Sequence, residues 1–177
     1  RNGDSIPHAK TEDEWENARL NCKPAWCYYD NDNKNGKQYG KLYNFYAIED
    51  VRGLAPEGWH VATDAEWKEL EFAIGLSKDE VDDWDYRGDK GIHLKSKSGW
   101  YNDMQGLDTY GFKALPGGDR YMYAKFNHKL THGFWWCAGE INEDEAWSRG
   151  LCYIHSQIGR YPNKKDKGYS VRLVKDK

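Results

Sequence analysis

The sequence contains no apolar run that approaches the ~20 residues needed to cross a bilayer, and no stretch with the composition of an export signal. Dense blocks of lysine and arginine are also missing, because 26 basic residues are dispersed among 29 acidic ones, for a net charge of −3. Without such a block the chain has little with which to neutralise phosphates, so neither nucleic-acid binding nor membrane insertion is expected. The short run Lys164, Lys165 and Lys167 is interpreted as a solvated turn.

Aliphatic side chains are scarce as well. Hydrophobic residues of all kinds make up 38% of the 177 residues, whereas charged residues make up 31%. Aromatic residues compensate, with 9 Trp and 13 Tyr, since each buried ring removes ~150–250 Å² of surface from water. The length fits one domain with a real core. We expect that domain to span residues 1–177, with any export signal or first strand preceding Arg1.

The cysteines leave two interpretations open. An even number is typical of disulfides and equally of reduced thiols in a core. The first pair would close a small loop, and the second would cross a predicted hairpin. Zinc is disfavoured, because the sequence has no C-x₂-C pair or Cys/His cluster. The four residues are Cys22, Cys27, Cys137 and Cys152.

Three capping boxes, in each of which Ser or Thr is followed three residues later by Glu, predict three helix starts. The second helix is the clearest, with Trp67, Leu70 and Ile74 on one face and Gly75 as its end. The third is short. The three pairs are Thr11 with Glu14, Thr63 with Glu66, and Ser77 with Glu80.

Short aromatic and apolar runs bounded by Gly, Pro, Asn and Asp predict strands. Helices in the first half and an antiparallel sheet in the second indicate the α+β class. Along 147–157 large and small side chains alternate, and which face is buried is left open. Polar segments 30–36 and 115–118 are predicted to be turns, and 41–48 fits neither period. The predicted strands are 26–29, 111–115, 133–138, 146–158 and 169–174.

Several motifs resemble a known family. Segment 58–67, GWHVATDAEW, is similar to the G-[YW]-R-L-P-T-E-A-E-W stretch of the formylglycine-generating enzyme-like branch of C-type lectin folds, and 168–174, GYSVRLV, is similar to its closing strand. Segments 39–47, 53–61 and 110–118 resemble the hallmarks of the Fibrobacter succinogenes major paralogous domain. This resemblance covers nearly the whole chain. It implies a C-type lectin-like fold, with helices packed on a twisted antiparallel sheet, in a secreted or cell-surface protein.

Catalytic chemistry finds little support in the residues. Enzymes of the resembling branch hold copper with two closely spaced late cysteines, whereas Cys137 and Cys152 are 15 positions apart. A copper oxidase is therefore kept only as an alternative function. His128 and His132 have the spacing of zinc proteases but lack the glutamate after the first His, and we interpret them as loop residues. No other catalytic motif is recognised, so a non-catalytic protein is expected.

Structural calcium is the one cofactor left open. From Asn31, an EF-hand register places Gly36 at position six, but position twelve is Leu42 where a Glu is needed. Segment 100–103, WYND, resembles the W-N-D calcium segment of sugar-binding C-type lectins, with an extra tyrosine. A turn is the preferred interpretation of the first segment, and a site at the second is not favoured.

Tyr, Trp and Arg are frequent in turn-rich segments of the second half, which predicts a binding surface, because these side chains combine a rigid apolar face with a polar edge. We expect a secreted or surface-displayed adhesion module that binds polysaccharide or a partner protein, as a monomer or within a larger secreted chain. The rival interpretation is a purely structural surface domain, with its aromatic residues in the core. Trp135, Trp136 and Trp147 are assigned to the core in either case. The binding candidates are Tyr101, Arg120, Tyr121, Tyr153, His155, Arg160 and Tyr161.

Overall fold

The computed structural model describes residues 3–177. Within them, helices alternate with short strands in the first half, and strands dominate the second half. None of the helices in this part of the chain combines the length and the apolar character needed to cross a membrane. Single 3-10 turns occur at Tyr29–Asn31, Gly91–His93, Tyr101–Asp103 and Met122–Ala124. The helices are α1 (Glu12–Leu20), α2 (Asn33–Tyr39), α3 (Phe45–Ile48), α4 (Asp64–Ala73) and α5 (Lys78–Asp82).

The strands form one six-stranded sheet and two small two-stranded sheets among the described residues. They are β1 (Trp26–Cys27), β2 (Leu42–Tyr43), β3 (Trp59–Val61), β4 (Asp85–Arg87), β5 (Gly117–Arg120), β6 (Phe126–Lys129), β7 (His132–Glu140), β8 (Glu145–Cys152), β9 (Ile158–Lys164) and β10 (Leu173–Lys175). The large sheet has the order β4-β9-β8-β7-β5-β6, and β1 pairs with β2 and β3 with β10. Neighbours in the large sheet are antiparallel except β5 and β7, which run parallel. This mixture of helices and a mainly antiparallel sheet confirms the α+β class.

The three predicted helices are confirmed as α1, α4 and α5. At the start of α1, the Thr11 hydroxyl accepts a hydrogen bond from the Glu14 backbone N–H, and the Glu14 carboxylate accepts one from the Thr11 N–H. The same reciprocal pair begins α4 and α5. Each pair satisfies two backbone donors that a helix start otherwise leaves unpaired, which is why these starts are visible in the sequence.

The predicted turn at 30–36 is wrong in its second half, where α2 begins. Asp32 caps this helix, because its carboxylate accepts a hydrogen bond from the Lys34 backbone N–H at 2.8 Å. Gly36 lies inside the helix against the Tyr28 ring, to which an added Cβ would come within 2.4 Å. The ambiguous segment 41–48 is β2 followed directly by α3, so neither period fits it.

Most predicted strands are found near their expected positions, but few have the expected length. Segment 133–138 lies within β7, but 146–158 contains most of β8, a turn and the first residue of β9. The prediction of a strand at 111–115 is wrong, since Ala114 makes only an isolated bridge to Lys95. β5 begins instead inside the predicted turn at 115–118. Segments 26–29 and 169–174 are strands over only two residues each.

Aromatic rings fill the core on both faces of the large sheet. Trp67 of α4 contacts Trp135 of β7, with ring centroids 6.2 Å apart. On the opposite face, Trp136 packs edge-on against Phe45 of α3 at 5.3 Å. All four rings are buried, which confirms the assignment of Trp135 and Trp136 to the core. The large rings thus supply the apolar area that the scarce aliphatic residues do not.

A buried network of arginines and carboxylates ties α4 to this sheet. Arg149 of β8 donates to Glu71 at 2.6 Å and to Asp64 at 2.7 Å. Arg160 of β9 donates twice to Asp64, at 2.9 Å each, and Arg87 of β4 donates to Glu71. Each carboxylate of α4 therefore joins arginines from two strands, which fixes the helix across β4, β9 and β8.

Glu71→Gln should destabilise the fold by about 3–5 kcal/mol, because two buried guanidinium groups would lose the charge they share. Urea unfolding followed by tryptophan fluorescence measures this change. Glu69→Gln is the matched control, since Glu69 is exposed on the same helix, and it should change the free energy of unfolding by at most about 0.5 kcal/mol. Equal losses at the two positions would contradict the role given to the network.

A histidine between two carboxylates holds the C-terminal strand. His60 Nδ1 lies 2.6 Å from Asp176 Oδ1, beyond β10, and its Nε2 lies 2.7 Å from Glu66 Oε1 in α4. Hydrogen bonds to Asp176 and then to Glu66 raise the pKa of His60. The contact thus joins β3, α4 and the end of the chain, and it is strongest when the imidazole is protonated.

The stabilisation from His60 should be complete below about pH 6.5 and should be lost as the pH rises through its raised pKa. The melting temperature of the wild type should therefore fall more between pH 6 and pH 9 than that of His60→Gln. His93→Gln is the control, because the His93 ring nitrogen contacts Thr109 and not a carboxylate, and it should keep the wild-type dependence. Parallel curves for His60→Gln and the wild type would exclude this contact as the cause.

Candidate functional site

The two faces of β8 differ in side-chain size, and α4 covers only one of them. Arg149 and Leu151 lie on the α4 side, where Arg149 meets the carboxylates of the helix and Leu151 joins the main core. Because side chains alternate along a strand, Ser148, Gly150 and Cys152 lie on the other side. Both faces of β8 are buried, so burial does not separate the large side chains from the small ones. Arg149 and Leu151 lie against α4, and Ser148, Gly150 and Cys152 form a floor on the opposite face.

Two aromatic rings from the neighbouring strands lie over this floor. Gly159 of β9 pairs with Gly150 of β8. A Cβ on Gly159 would come within 2.3 Å of the Tyr161 ring, and one on Gly150 within 3.2 Å of the Phe134 ring. Only glycine allows rings to approach the backbone this closely. Tyr161 and Phe134 therefore rest against the sheet, and both are half-buried.

Further rings extend this surface on both sides. Tyr86 of β4 meets Tyr161 edge-on at 5.5 Å and His155 edge-on at 4.1 Å between centroids. On the other side, His132 stacks on Phe134 at 5.5 Å with 4° between the planes. A row of rings thus crosses β4, β9, β7 and the turn after β8. With one more histidine from β6, we call these residues the aromatic shelf: His155, Tyr86, Tyr161, Phe134, His132 and His128.

The shelf is uncharged over most of its length and cationic at one end. Burial lowers the pKa of His132 to about 4 and also lowers the pKa of His155, so both rings are neutral at physiological pH. His128 differs, because its Nδ1 lies 2.7 Å from the buried carboxylate of Asp119, and this hydrogen bond raises the pKa of His128. His128 meets His132 edge-on at 4.8 Å, so the cationic end adjoins the neutral rings.

A short polar chain runs beside the cationic end. Lys167 donates to Asn163 Oδ1 at 2.5 Å, and Asn163 donates to Ser148 Oγ at 2.8 Å. The Lys167 ammonium lies 4.8 Å from the centre of the Tyr121 ring. Burial lowers the pKa of Lys167, and the charge of Asp119 opposes that shift. Polar groups that can donate and accept hydrogen bonds therefore border the rings along one edge.

The lysine run near the C-terminus is not the solvated turn that its sequence predicts. Lys164 fits the prediction, with half of its side chain exposed. Lys165, however, is only 5% exposed and donates to Glu49 and Glu140, and Lys167 is half-buried. The reason is that the backbone here hydrogen-bonds to α3 and β5 and so crosses the molecule. Alternate lysines are thereby placed inside.

An apolar rim borders the shelf at the loop end of the sheet. Tyr101 meets Tyr153 edge-on at 5.5 Å. Leu130 accepts a backbone hydrogen bond from Tyr101 at 2.9 Å, and Ile154 follows Tyr153 in the turn that carries His155. Exposed fractions of 47% for Tyr101 and 60% for Ile154 leave much of this surface open to solvent. We call Tyr101, Leu130, Tyr153 and Ile154 the apolar rim.

A buried lysine holds the turn that carries both the rim and the shelf. The Lys95 ammonium lies 3.1 Å from the Cys152 carbonyl oxygen, 3.4 Å from that of Tyr153 and 3.1 Å from that of His155. A charged donor shared by three carbonyls restricts the backbone more than neutral contacts would. Lys95 is therefore a positioning residue for Tyr153 and His155.

Most of the predicted binding residues lie at this surface. Tyr161 and His155 belong to the shelf, and Tyr101 and Tyr153 to the apolar rim. Tyr121 lies at the opposite edge, under Lys167, and 36% of it is exposed. Five of the seven predicted residues thus lie in the shelf, in the apolar rim or under Lys167.

The prediction that Arg120 and Arg160 contact a ligand at the surface is wrong, because both are buried. The Arg120 guanidinium donates to three backbone carbonyls and joins the first residues of the chain to the end of β5. Arg160 pairs with Asp64 and lies 3.6 Å from the centre of the half-buried Trp147 ring. Arginine is frequent in binding surfaces, but here its donors are used to fix the interior.

No local sequence pattern marks the centre of the shelf, Phe134 and Tyr86. The interpretation of His128 and His132 as loop residues is wrong, because they lie in β6 and β7. In the structure these two histidines flank the tight turn between β6 and β7. The signal that points to the shelf is a pair of glycines opposite each other on β8 and β9. That signal becomes visible only when the register of this hairpin is known.

None of the four cysteines, all of which lie among the described residues, forms a disulfide. Cys22 is exposed, and Cys27, Cys137 and Cys152 are buried, so the interpretation as reduced thiols fits the structure. Burial raises the pKa of Cys27 to about 11 and that of Cys137 to about 12, which makes both thiols unreactive.

The late cysteines also lie too far apart to hold one metal ion. Cys152 is opposite His132 in the sheet, five positions from Cys137 on β7. At ~3.3 Å per residue this offset is about 16 Å, whereas thiolate–metal bonds are about 2.3 Å long. Among the described residues, no group of three or more His, Cys, Asp or Glu side chains is placed to hold a metal ion.

Comparison with family models places the chain in a family. The model of the Fibrobacter succinogenes major domain matches residues 1–175, a range that includes the core network, the shelf and the apolar rim. Searches of curated proteins and of solved structures found no match.

Lys95→Met should loosen the turn after β8, because three carbonyl oxygens would lose their common donor, at a cost of about 1–3 kcal/mol. Hydrogen exchange followed by mass spectrometry should show faster exchange in the peptide that covers 152–157. Lys97→Met is the matched control, since Lys97 is exposed two residues away, and it should leave that peptide unchanged. Unchanged exchange in Lys95→Met would contradict the positioning role.

Proposed function

The chain belongs to the Fibrobacter succinogenes major domain family, and we propose that it is a non-catalytic module that binds polysaccharide on the aromatic shelf. The observation that carries this proposal is the row of rings held against a glycine floor on the face of the sheet that α4 leaves uncovered. The rings are supplied by separate strands and by a turn fixed from below, so the surface exists before any ligand binds. Preorganisation of this kind reduces the entropy lost on binding.

The chemistry of the shelf suits a sugar. The C–H groups on one face of a pyranose pack against an aromatic ring, while its hydroxyl groups need hydrogen-bond partners at the ring edge. Tyr161 supplies a half-buried ring for stacking, and Phe134, itself stacked on His132 and Tyr169, extends the apolar area beside it. Asn163 and Lys167 supply polar atoms beside these rings. A ring held by its neighbours also loses little side-chain freedom when a ligand binds. The shelf therefore combines stacking area with hydrogen-bonding groups, as small-ligand sites do.

A partner protein is the second candidate, and the apolar rim favours it. Tyr101, Leu130 and Ile154 are exposed beside the shelf. Tyrosine is enriched among the residues that dominate protein interfaces, and Leu130 and Ile154 add exposed apolar area beside it. Loss of protein binding on truncation of Ile154, with glycan binding unchanged, would favour this candidate.

The geometry favours the other two functions, a copper oxidase and a purely structural domain, less. A copper oxidase that uses Cys137 and Cys152 would need thiolates about 16 Å apart to share one ion. A purely structural surface domain would have its aromatic rings in the core, whereas the shelf rings are only half-buried. We further propose a C-type lectin-like fold and a secreted or cell-surface location, both of which rest on the motif resemblance.

Tyr161→Ala should weaken polysaccharide binding by about 1–2 kcal/mol, a five- to thirtyfold loss of affinity. A glycan array identifies the ligand, and isothermal titration calorimetry then measures the affinity. Tyr123→Ala is the matched control, because Tyr123 is 69% exposed in the 3-10 turn before β6 and lies outside the shelf. Its affinity should equal that of the wild type.

Thermal unfolding should accompany both measurements, because Tyr161 also covers two glycines of the sheet. Tyr161→Phe keeps the ring and should keep most of the affinity for a stacked sugar. If no glycan binds the wild type, or if both tyrosine-to-alanine variants bind as tightly as the wild type, the shelf is not a polysaccharide site.

A further inference from the structure

We propose that the cationic end of the shelf is a subsite for an acidic sugar, where Lys167 and His128 pair with a carboxylate or sulfate group while the neutral rings hold the sugar itself. This inference rests on the proposed function, because it names the class of polysaccharide that the shelf would bind. Both candidate anions share the same chemistry here: negatively charged oxygens that accept hydrogen bonds from nitrogen donors.

His128 has one nitrogen committed and one available. Its Nδ1 contacts Asp119, which is 2% exposed, whereas 45% of the His128 side chain is accessible to solvent. Within the part of the chain that the structure describes, no hydrogen-bond partner is present at Nε2. A protonated imidazole donates from both nitrogens, so His128 can hold its internal carboxylate and an external anion together.

Lys167 is a second hydrogen-bond donor, and it has N–H groups that no acceptor in the described part of the chain uses. An ammonium has three N–H donors, and Asn163 Oδ1 is the one hydrogen-bond acceptor that the described residues offer it. Tyr121 lies beneath it as an aromatic support. Because this ammonium is partly removed from water, an anion should gain more from pairing with it than with a fully exposed lysine.

Carboxylates of the chain act on both cations at this end. Asp119 is the carboxylate that interacts with both cations: it accepts from His128 and acts electrostatically on Lys167. The charge of Lys167 in turn acts on His128, so the two cations lie within electrostatic reach of each other. Asp166, next to Lys167 in the chain, also acts electrostatically on that ammonium. What this end offers an anionic ligand is therefore the donors that residues 3–177 leave free, His128 Nε2 and the N–H groups of Lys167 that Asn163 does not use.

Calorimetric titration with oligogalacturonate tests this subsite, and the methyl-esterified form of the same oligomer is the neutral control. The free acid should bind roughly tenfold more tightly than the ester. Lys167→Met keeps the side-chain length and should remove that preference, so that the variant binds the acid and the ester with equal affinity. Lys164→Met is the matched control, because half of the Lys164 side chain is exposed beside Asp144, and it should keep the preference.

The dependence on pH gives a second readout. The groups that face His128 are Asp119 from β5, His132 from β7 and Lys167 from the segment before β10. His132 stays neutral above about pH 4. The affinity of the wild type for the acid should be highest below the pKa of His128 and should fall as the pH rises through that pKa. The affinity of His128→Gln should not show this fall.

A parallel titration with dextran sulfate and dextran separates sulfate from carboxylate as the preferred anion. A preference for either acidic polymer that Lys167→Met removes supports the subsite. Equal binding of acid and ester, with both lost in Tyr161→Ala, would overturn the acidic subsite and leave the polysaccharide module intact. The subsite would also be overturned if the protein bound neither galacturonan nor sulfated dextran. The proposed function would then depend only on whether neutral glycans bind.

Discussion

The contact between Arg149 and the carboxylates of Asp64 and Glu71 determines how the two layers of this protein meet. Placing charges in an interior costs free energy unless every partner is supplied, and here one guanidinium is shared by two carboxylates of α4. Burial alone would raise the pKa of Asp64, but its hydrogen bonds and charge pairs with Arg160 and Arg149 lower that pKa to about 2. Such a network tolerates little displacement, so α4 is fixed on one face of the sheet. The shelf lies on the other face, beside the core cluster that contains Phe45 and Trp136.

Buried cations recur wherever this chain needs to fix an irregular segment. Arg120 donates to carbonyls near the N-terminus, Lys95 to those of the turn after β8, and Lys165 to two carboxylates. This chain has few aliphatic residues and many charged ones. Buried guanidinium and ammonium groups therefore fix segments that apolar packing alone would fix in a protein richer in aliphatic residues. These buried cations also position the proposed binding surface, because the segments that they hold carry the apolar rim and border the shelf.

The sequence predicts the parts of the fold that depend on local chemistry. Capping boxes at Thr11, Thr63 and Ser77 depend on residues three positions apart, so those helix starts were found. The hairpin of β8 and β9 was missed as a hairpin, because its turn contains no Gly, Pro, Asn or Asp to mark it. The shelf was found only in part, since it depends on two glycines being opposite each other in that hairpin. The burial of Arg120 and Arg160 depends on carbonyls and carboxylates distant in sequence, and no local pattern reveals it.

Chemical-shift mapping of the ¹⁵N-labelled protein locates the binding surface without any substitution. During titration with an acidic oligosaccharide, the largest shifts should occur at the backbone amides of Phe134, Gly150, Gly159 and Tyr161, with further shifts near His128 and Lys167. The amides of α4 on the opposite face should remain unchanged. Shifts concentrated on α4, or on the N-terminal residues around Trp26, would contradict a binding site on the glycine-floored face of the sheet.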